Sequence, residues 1–351
     1  MLLENVLIVD PIDGEYVGTV EFEERIEIIV KTNKSEYKSI LMPAFVDPHI
    51  HGIMGIDTMT ASESDFRKFI EYEAYEGVWY FLPTTVTCKV EGLSKIKLPG
   101  DLKLHLEGPF ISKKRKGAHN EDYLIAPPYD VEELSKYIDL YDVKLITVAP
   151  ELDRFFDFAQ SCVKKDIRIS LGHSDANFEI ARKVFENGYN RITHFPNALS
   201  PLHHRDLGMV GAGFYLDFTV EIIADGVHSS PEFVDLVYKI KGPERIILVT
   251  DSISATGLKD GNYMLGDLPV KVTDGKAHLE DGTIAGSTLR FSQAIKNFRK
   301  FTGCSLKELA MVSSYNAAMD LKIKGGRIVE GYPAKFVELN DELNIIKTWN
   351  F

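Results

Sequence analysis

The feature that most constrains this chain is a pair of histidines at the end of a short apolar run. Leu41-Met42-Pro43-Ala44-Phe45-Val46 leads through Asp47-Pro48 into His49-Ile50-His51. In a strand, residues i and i+2 project from the same face, so the two imidazoles leave the strand end together. Imidazoles held side by side suit a borderline divalent ion. By itself the pair fits a polar loop at least as well, and the rest of the chain decides. It supplies Glu107, His173, His194 and Asp251, each where an apolar run of its own ends.

Those runs recur every 20 to 40 residues through the middle of the sequence, mostly with helical patterns between. Eight stand out: Leu41–Val46, Val78–Leu82, Leu102–Leu106, Val143–Val148, Ile167–Leu171, Arg191–Thr193, Phe218–Ile223 and Arg245–Val249. Ser62 followed by Glu63 and Asp65 reads as a helix start, and Gly188 as a stop after Phe178, Ala181, Val184 and Phe185. Eight strand–helix units predict an α/β fold, a (β/α)8 TIM-like barrel of roughly 250 residues. A doubly wound open sheet is the alternative. It would want a Gly-rich phosphate turn after its first strand, and none is present.

The two ends have another rhythm. Val6–Val9, Val17–Phe22 and Ile26–Val30 alternate around turn residues, and Arg327–Val329, Ala334–Leu339 and Leu343–Lys347 do the same. Residues 1–40 and 325–351 are therefore expected to meet as one small β-sandwich domain around a barrel of residues 41–324. A β-hairpin insertion is expected near 263–283.

Composition narrows the partners. Of 351 residues, 40 are basic and 52 acidic, a net charge of −12, which disfavours nucleic acid and anionic membranes. An anionic substrate would need a local basic pocket against that field. Cys88, Cys162 and Cys304 are far apart, as reduced thiols in a cytoplasmic protein would be. The N-terminus lacks a basic leader and no apolar stretch is long enough for a span, so neither secretion nor membrane insertion is expected.

Barrel enzymes assemble their sites from the C-terminal ends of several strands. His49, His51, Glu107, His173, His194 and Asp251 all fall at such ends. Four imidazoles and two carboxylates suit one or two divalent ions, Zn²⁺ or Fe²⁺ first, with Co²⁺ or Mn²⁺ as alternatives.

At this point the motifs resemble a family. Pro43-Ala44-Phe45-Val46-Asp47-Pro48-His49-Ile50-His51-Gly52 is one. Leu104-His105-Leu106-Glu107-Gly108-Pro109-Phe110, with Lys116-Gly117-Ala118-His119 after it, is another. Leu171-Gly172-His173-Ser174, Thr193-His194-Phe195-Pro196-Asn197-Ala198, Ala224-Asp225-Gly226-Val227-His228 and Val249-Thr250-Asp251-Ser252-Ile253-Ser254-Ala255-Thr256-Gly257 complete the set. Together they resemble the amidohydrolase superfamily and, within it, the N-acetylglucosamine-6-phosphate deacetylases. Many related hydrolases carry a carboxylated lysine on strand four. Here that strand ends Val148-Ala149-Pro150-Glu151, so Glu107 is the expected carboxylate ligand.

The resemblance implies roles. Glu107, His173 and His194 would hold the main metal. His49, His51 and Asp251 would complete a second site, with Glu107 bridging. Asp251 would be general base and then acid, and His119 would polarise the acetyl carbonyl. Ala118, Asn197, Ala198, Ile284, Ala285 and Gly286 would line the sugar pocket. Arg205 and His228 would take the phosphate, with Arg205 reaching in from the other subunit of a homodimer. The substrate implied is a small sugar phosphate, cleaved to amine and acetate. The runner-up is another deacetylase or cyclic amidase on the same scaffold. Pro196, Asp206-Leu207 and Lys335 depart from the family's usual residues. His105 and His278 receive no role beyond core and hairpin.

Overall fold

The computed structural model describes residues 1–349. Its central sheet has eight parallel strands: Phe45–Ile50, Val78–Thr85, Leu104–Glu107, Val143–Val148, Arg168–Leu171, Arg191–Ile192, Thr219–Ile223 and Ile246–Val249. Each is hydrogen-bonded to the next in chain order. The Asp251 amide donates to the His49 carbonyl at 2.9 Å, which brings the last strand's end against the first and closes the barrel at its C-terminal rim. These strands are buried on both faces, which is why they read as continuous apolar runs rather than as alternation.

Helices cover the outside, and their ends follow local chemistry. Ser62 caps Glu63–Tyr75 and shares a capping box with Asp65. Asn177 caps Phe178–Glu186, and Ser230 caps Pro231–Lys241 with proline in the first turn. Phe291–Thr302 buries Phe291, Ala294, Ile295 and Phe298 at helical spacing and ends at Gly303 in the left-handed conformation. Between the third and fourth strands there is no α-helix. That segment carries four short 3-10 turns, and its first part, 113–119, lies against the barrel mouth.

One apolar run divides. Leu41–Val46 is not a single barrel strand: Ile40–Pro43 pairs with Leu2–Asp10 and Phe336–Leu339 in the sheet of the termini, and the barrel begins at Phe45. The Ala44 amide bonds to Lys335 O at 3.1 Å and the Phe45 amide to Gly77 O at 2.8 Å, so the chain changes sheets within one residue. Both sheets bury the run, and apolarity alone does not say which one holds a residue.

The terminal sheet has six strands, from Ile345–Trp349 through Phe336–Leu339, Ile40–Pro43, Leu2–Asp10 and Gly14–Phe22 to Ile26–Lys31. Phe22 lies three strands from Phe336, about 14 Å away in a flat sheet at ~4.8 Å per strand. Their rings are 5.1 Å apart, and the Trp349 ring is 5.5 Å from Phe22. The sheet therefore folds over, and its ends face each other across one core as the layers of a sandwich do. A third sheet, Gly261–Leu265, Leu268–Thr273 and Lys276–His278, follows the last barrel strand. Its strands coincide with the apolar runs Tyr263–Leu265, Val270–Val272 and Ala277–Leu279 of the insertion expected near 263–283. Among the described residues no helix is long and apolar enough to cross a membrane.

Candidate active site and metal centre

The six strand-end residues meet at the barrel mouth, all of them buried. Glu107 is the hub. Its Oε1 lies 3.2 Å from His173 Nε2, 3.0 Å from His194 Nε2 and 3.5 Å from His49 Nε2, and its Oε2 lies 3.3 Å from His51 Nε2. Asp251 Oδ1 is 3.3 Å from His49 Nε2 and 3.1 Å from His51 Nε2. Two groups follow, Glu107 with His173 and His194, and His49 with His51 and Asp251, each with ligand atoms within 4.8 Å of one another. Glu107 stands between them.

The donor chemistry of this cluster fits a cation. His49 Nδ1 meets Glu221 Oε2 at 3.0 Å, His51 Nδ1 meets Thr84 O at 3.1 Å and His173 Nδ1 meets Arg115 O at 2.8 Å. Carboxylate and carbonyl oxygens only accept, so each Nδ1 carries a proton and each Nε2 turns toward the site. His49 Nε2 makes no hydrogen bond. The Nε2 atoms of His173 and His194 stand 2.9 Å apart beside the same carboxylate oxygen, an arrangement that positive charge between them relieves. Burial alone would strip His51 of a proton, but Asp251 and Glu107 outweigh it and raise its pKa to about 9. The carboxylates draw positive charge to this spot, as a metal centre must.

His119 is set differently. The Thr87 amide donates to its Nδ1 at 3.2 Å, with Thr87 Oγ1 at 2.6 Å, so the ring proton sits on Nε2. Burial, reinforced by His173, lowers its pKa to about 4. It is a neutral N–H donor facing the cluster, with Nε2 3.4 Å from Glu107 Oε2. Burial would raise the Asp251 carboxyl, but His49 and His51 bring it down to about 2, so it is ionised and able to accept a proton.

Several of these positions are strained. His173, His194, Ala198 and Asp251 have φ of 47°, 31°, 53° and 52°. Left-handed backbone costs of order 1–3 kcal/mol per non-glycine residue, and it gathers where geometry serves function. Gly286 has φ +60°, and a Cβ there would stand 2.9 Å from Asp251 O, so only glycine lets its loop close on Asp251.

Ala118, His119, Asn197, Ala198, His228, Ile284 and Gly286 line one pocket with the cluster. Ala285 does not. Its side chain is fully buried in the small core of the third sheet, with Ile253, Val270 and Val272, because the loop alternates inward and outward. Arg205 is exposed and outside the pocket of its own chain, its Nη1 3.0 Å from His204 Nε2. His228 is held by Asp225, whose carboxylate meets its Nδ1 at 2.7 Å and accepts its amide at 2.8 Å. His105 is a core residue under the site, with Nε2 2.7 Å from Thr147 Oγ1 and its ring 4.7 Å from that of His49. His278 ends the last strand of the insertion. Glu221 and Thr87 escape sequence reasoning, and Asp225 enters it only as part of a motif, without a role of its own. The one signal for Glu221 is a lone acid inside the apolar strand Thr219–Ile223.

The Amidohydrolase family profile matches residues 40–350. An N-acetylglucosamine-6-phosphate deacetylase of Lysinibacillus sphaericus is 38% identical over 88% of this chain and 83% of its own length. The crystal structure of N-acetylglucosamine-6-phosphate deacetylase from Thermotoga maritima superposes with TM-score 0.93 at 50% identity, covering 100% of this chain and 98% of that one. A mutant N-acetyl-D-glucosamine-6-phosphate deacetylase of Mycobacterium smegmatis, in complex with N-acetyl-D-glucosamine-6-phosphate, superposes with TM-score 0.90 at 26% identity, covering 100% and 97%. The chain belongs to the amidohydrolase family.

Proposed function

We propose that this amidohydrolase removes the N-acetyl group of N-acetylglucosamine 6-phosphate, releasing glucosamine 6-phosphate and acetate in amino-sugar breakdown. The carrying observation is one pocket in which Asp251 and the Nε2 of His119, whose Nδ1 is held by Thr87, stand beside two groups of side chains able to hold metal. The deacetylases it resembles over most of the chain support the substrate.

Glu107, His173 and His194 would hold the main ion, and His49, His51 and Asp251 a second, with Zn²⁺ or Fe²⁺ best suited to the mixed donors. Such an ion supplies Lewis acidity and lowers the pKa of water toward ~7. Asp251 takes the proton of the attacking water. His119 donates from Nε2 to the carbonyl oxygen as negative charge develops there. Asp251 then returns its proton to the departing sugar nitrogen, so one carboxylate serves both steps. Asn197, Ala198 and the 284–286 loop would border the sugar, and His228 would meet the phosphate from within the chain. Arg205 would complete the phosphate site from the second subunit of a homodimer, which its exposed loop allows. Cys88, Cys162 and Cys304 are free thiols, which fits action in a reducing cytoplasm.

The test is acetate release from N-acetylglucosamine 6-phosphate by metal-reconstituted protein. Chelation should abolish it, and Zn²⁺, Fe²⁺, Co²⁺ or Mn²⁺ should restore it to different extents. Turnover of N-acyl amino acids or cyclic amides with none of the sugar phosphate would overturn the assignment. Full activity in rigorously metal-free protein would overturn the metal's part in it.

A further inference from the structure

Behind the metal-ligating groups lies a line of buried charge with no part in the steps above. Glu221 Oε2 meets His49 Nδ1 at 3.0 Å and accepts the His194 amide at 3.2 Å. Its other oxygen receives Arg191 Nε at 3.0 Å and Nη2 at 2.5 Å. Arg191 Nη1 bonds to Asp320, and Asp320 takes Arg168 Nε at 2.9 Å. Glu221, Arg191 and His49 are wholly buried. Four charges of alternating sign thus run from beneath the site toward the strand starts, where Arg168 is part-exposed.

Burying this line is costly. An ion pair taken from water loses several kcal/mol of hydration per charge, and apolar side chains of the same size often stabilise as well or better. Stability alone gives no reason to place it inside a barrel whose interior ordinarily holds branched apolar residues. What the line achieves is geometric. One oxygen of Glu221 touches a histidine ring from one metal group and the backbone of a histidine from the other. Arg191 grips that carboxylate with two nitrogens from below, so it cannot turn away.

We propose that Glu221, clamped by Arg191, is a positioning residue that locks His49 as the Nδ1–H tautomer and fixes it against the His194 turn, so that both groups face Glu107. It reaches neither substrate nor reacting atoms. The inference rests on the metal reading above, and Zn²⁺ affinity tests it without any turnover. Apo protein is titrated with Zn²⁺ against a chromophoric chelator, giving stoichiometry and dissociation constants, with circular dichroism and thermal unfolding recorded alongside.

Loss of a partner that orients a ligand typically weakens metal binding about 10–100-fold, and Glu221→Gln should do so while remaining folded. In a His49→Ala background the same change should cost clearly less, because the part of its effect that passes through His49 is already gone and only its hold on the His194 turn remains. Folded Glu221→Gln protein with wild-type Zn²⁺ affinity overturns the proposal, and so does full additivity with His49→Ala. If Glu221→Gln does not fold, Glu221→Asp takes its place: it keeps the charge but withdraws the oxygen, and the same weakening is expected. Wild-type protein that binds no Zn²⁺ would instead remove the metal reading itself, so the two failures are separable.

Discussion

Replacing Asp225 by asparagine isolates the charge on His228 from the rest of the proposed phosphate site. Asp225 Oδ1 accepts the Val227 and His228 amides at 2.8 Å, and an asparagine oxygen can do the same. Its amide group would then face His228 Nδ1, which must accept, leaving a neutral ring with its proton on Nε2. The ring would still donate to a phosphate, but without a charge. The phosphate stays anionic, so the loss is the attraction of the ring's own charge, about 1–1.5 kcal/mol for unit charges ~4 Å apart at a dielectric near that of water. KM for the sugar phosphate should rise about 5- to 13-fold with kcat little changed. The pH profile adds a second readout. Burial lowers the His228 pKa, the Asp225 hydrogen bond and charge and the Asp251 charge raise it, His49 lowers it, and the balance is upward. A raised pKa means the ring keeps its proton to higher pH than usual, so phosphate affinity is full below that pKa and falls as pH rises through it. In the variant the fall should begin at lower pH. The assay is acetate release against pH, with N-acetylglucosamine lacking phosphate as control. An equal change for both sugars, or none for the phosphorylated one, would refute the role of His228.

Asp251→Asn should retain metal at Glu107, His173 and His194 and bind substrate, yet lose ~10²–10⁴ in kcat; more than about a tenth of wild-type turnover would contradict its role as proton carrier. Arg205→Ala should raise KM for the phosphorylated sugar far more than for the unphosphorylated one. Mixing Arg205→Ala with Asp251→Asn subunits should recover some activity, and proven mixed dimers without recovery would confine Arg205 to its own chain's pocket. Glu73 is only 2% exposed, and burial first, then the charges of Asp47 and Glu76, raise its pKa well above the usual value. A carboxyl with a raised folded pKa loses stability as pH climbs from its unfolded value through the folded one, so Glu73→Gln should lift the thermal midpoint at neutral pH. Parallel midpoint curves for the two proteins from about pH 4 to 9 would exclude this.

The barrel was legible because strands buried on both faces leave unbroken apolar runs, and the six side chains that meet at its mouth because each follows one of those runs. What failed was anything decided by a neighbour far along the chain. Residues 40–46 look alike, yet hydrogen bonds to Lys335 and Gly77 send them to different sheets. Thr87 fixes the tautomer of His119 from 32 residues away, and Glu221 that of His49 from 172. No spacing rule connects such partners. The loop around Ala285 suggests a pocket residue, yet its side chain points the other way, into the core of the third sheet.

The floor of the site is hidden from the sequence for a related cause. His105 bonds to Thr147, Thr147 Oγ1 lies 2.9 Å from Thr193 Oγ1, and Thr193 Oγ1 donates to Ser170 Oγ at 2.6 Å, all buried within the barrel. Serine and threonine inside apolar strands carry little signal, since a strand tolerates them on either face. Each of these hydroxyls is satisfied by another, and a buried polar network is stable only when every member has its partner. Removing one would leave the next without a bond, at about 1–3 kcal/mol per unsatisfied group. That makes the floor stiff, and the His105 ring packs against His49 on top of it. The candidate ligands visible in the sequence are held in place by residues whose types alone say nothing about metal, and whose value lies in leaving His49 a single orientation.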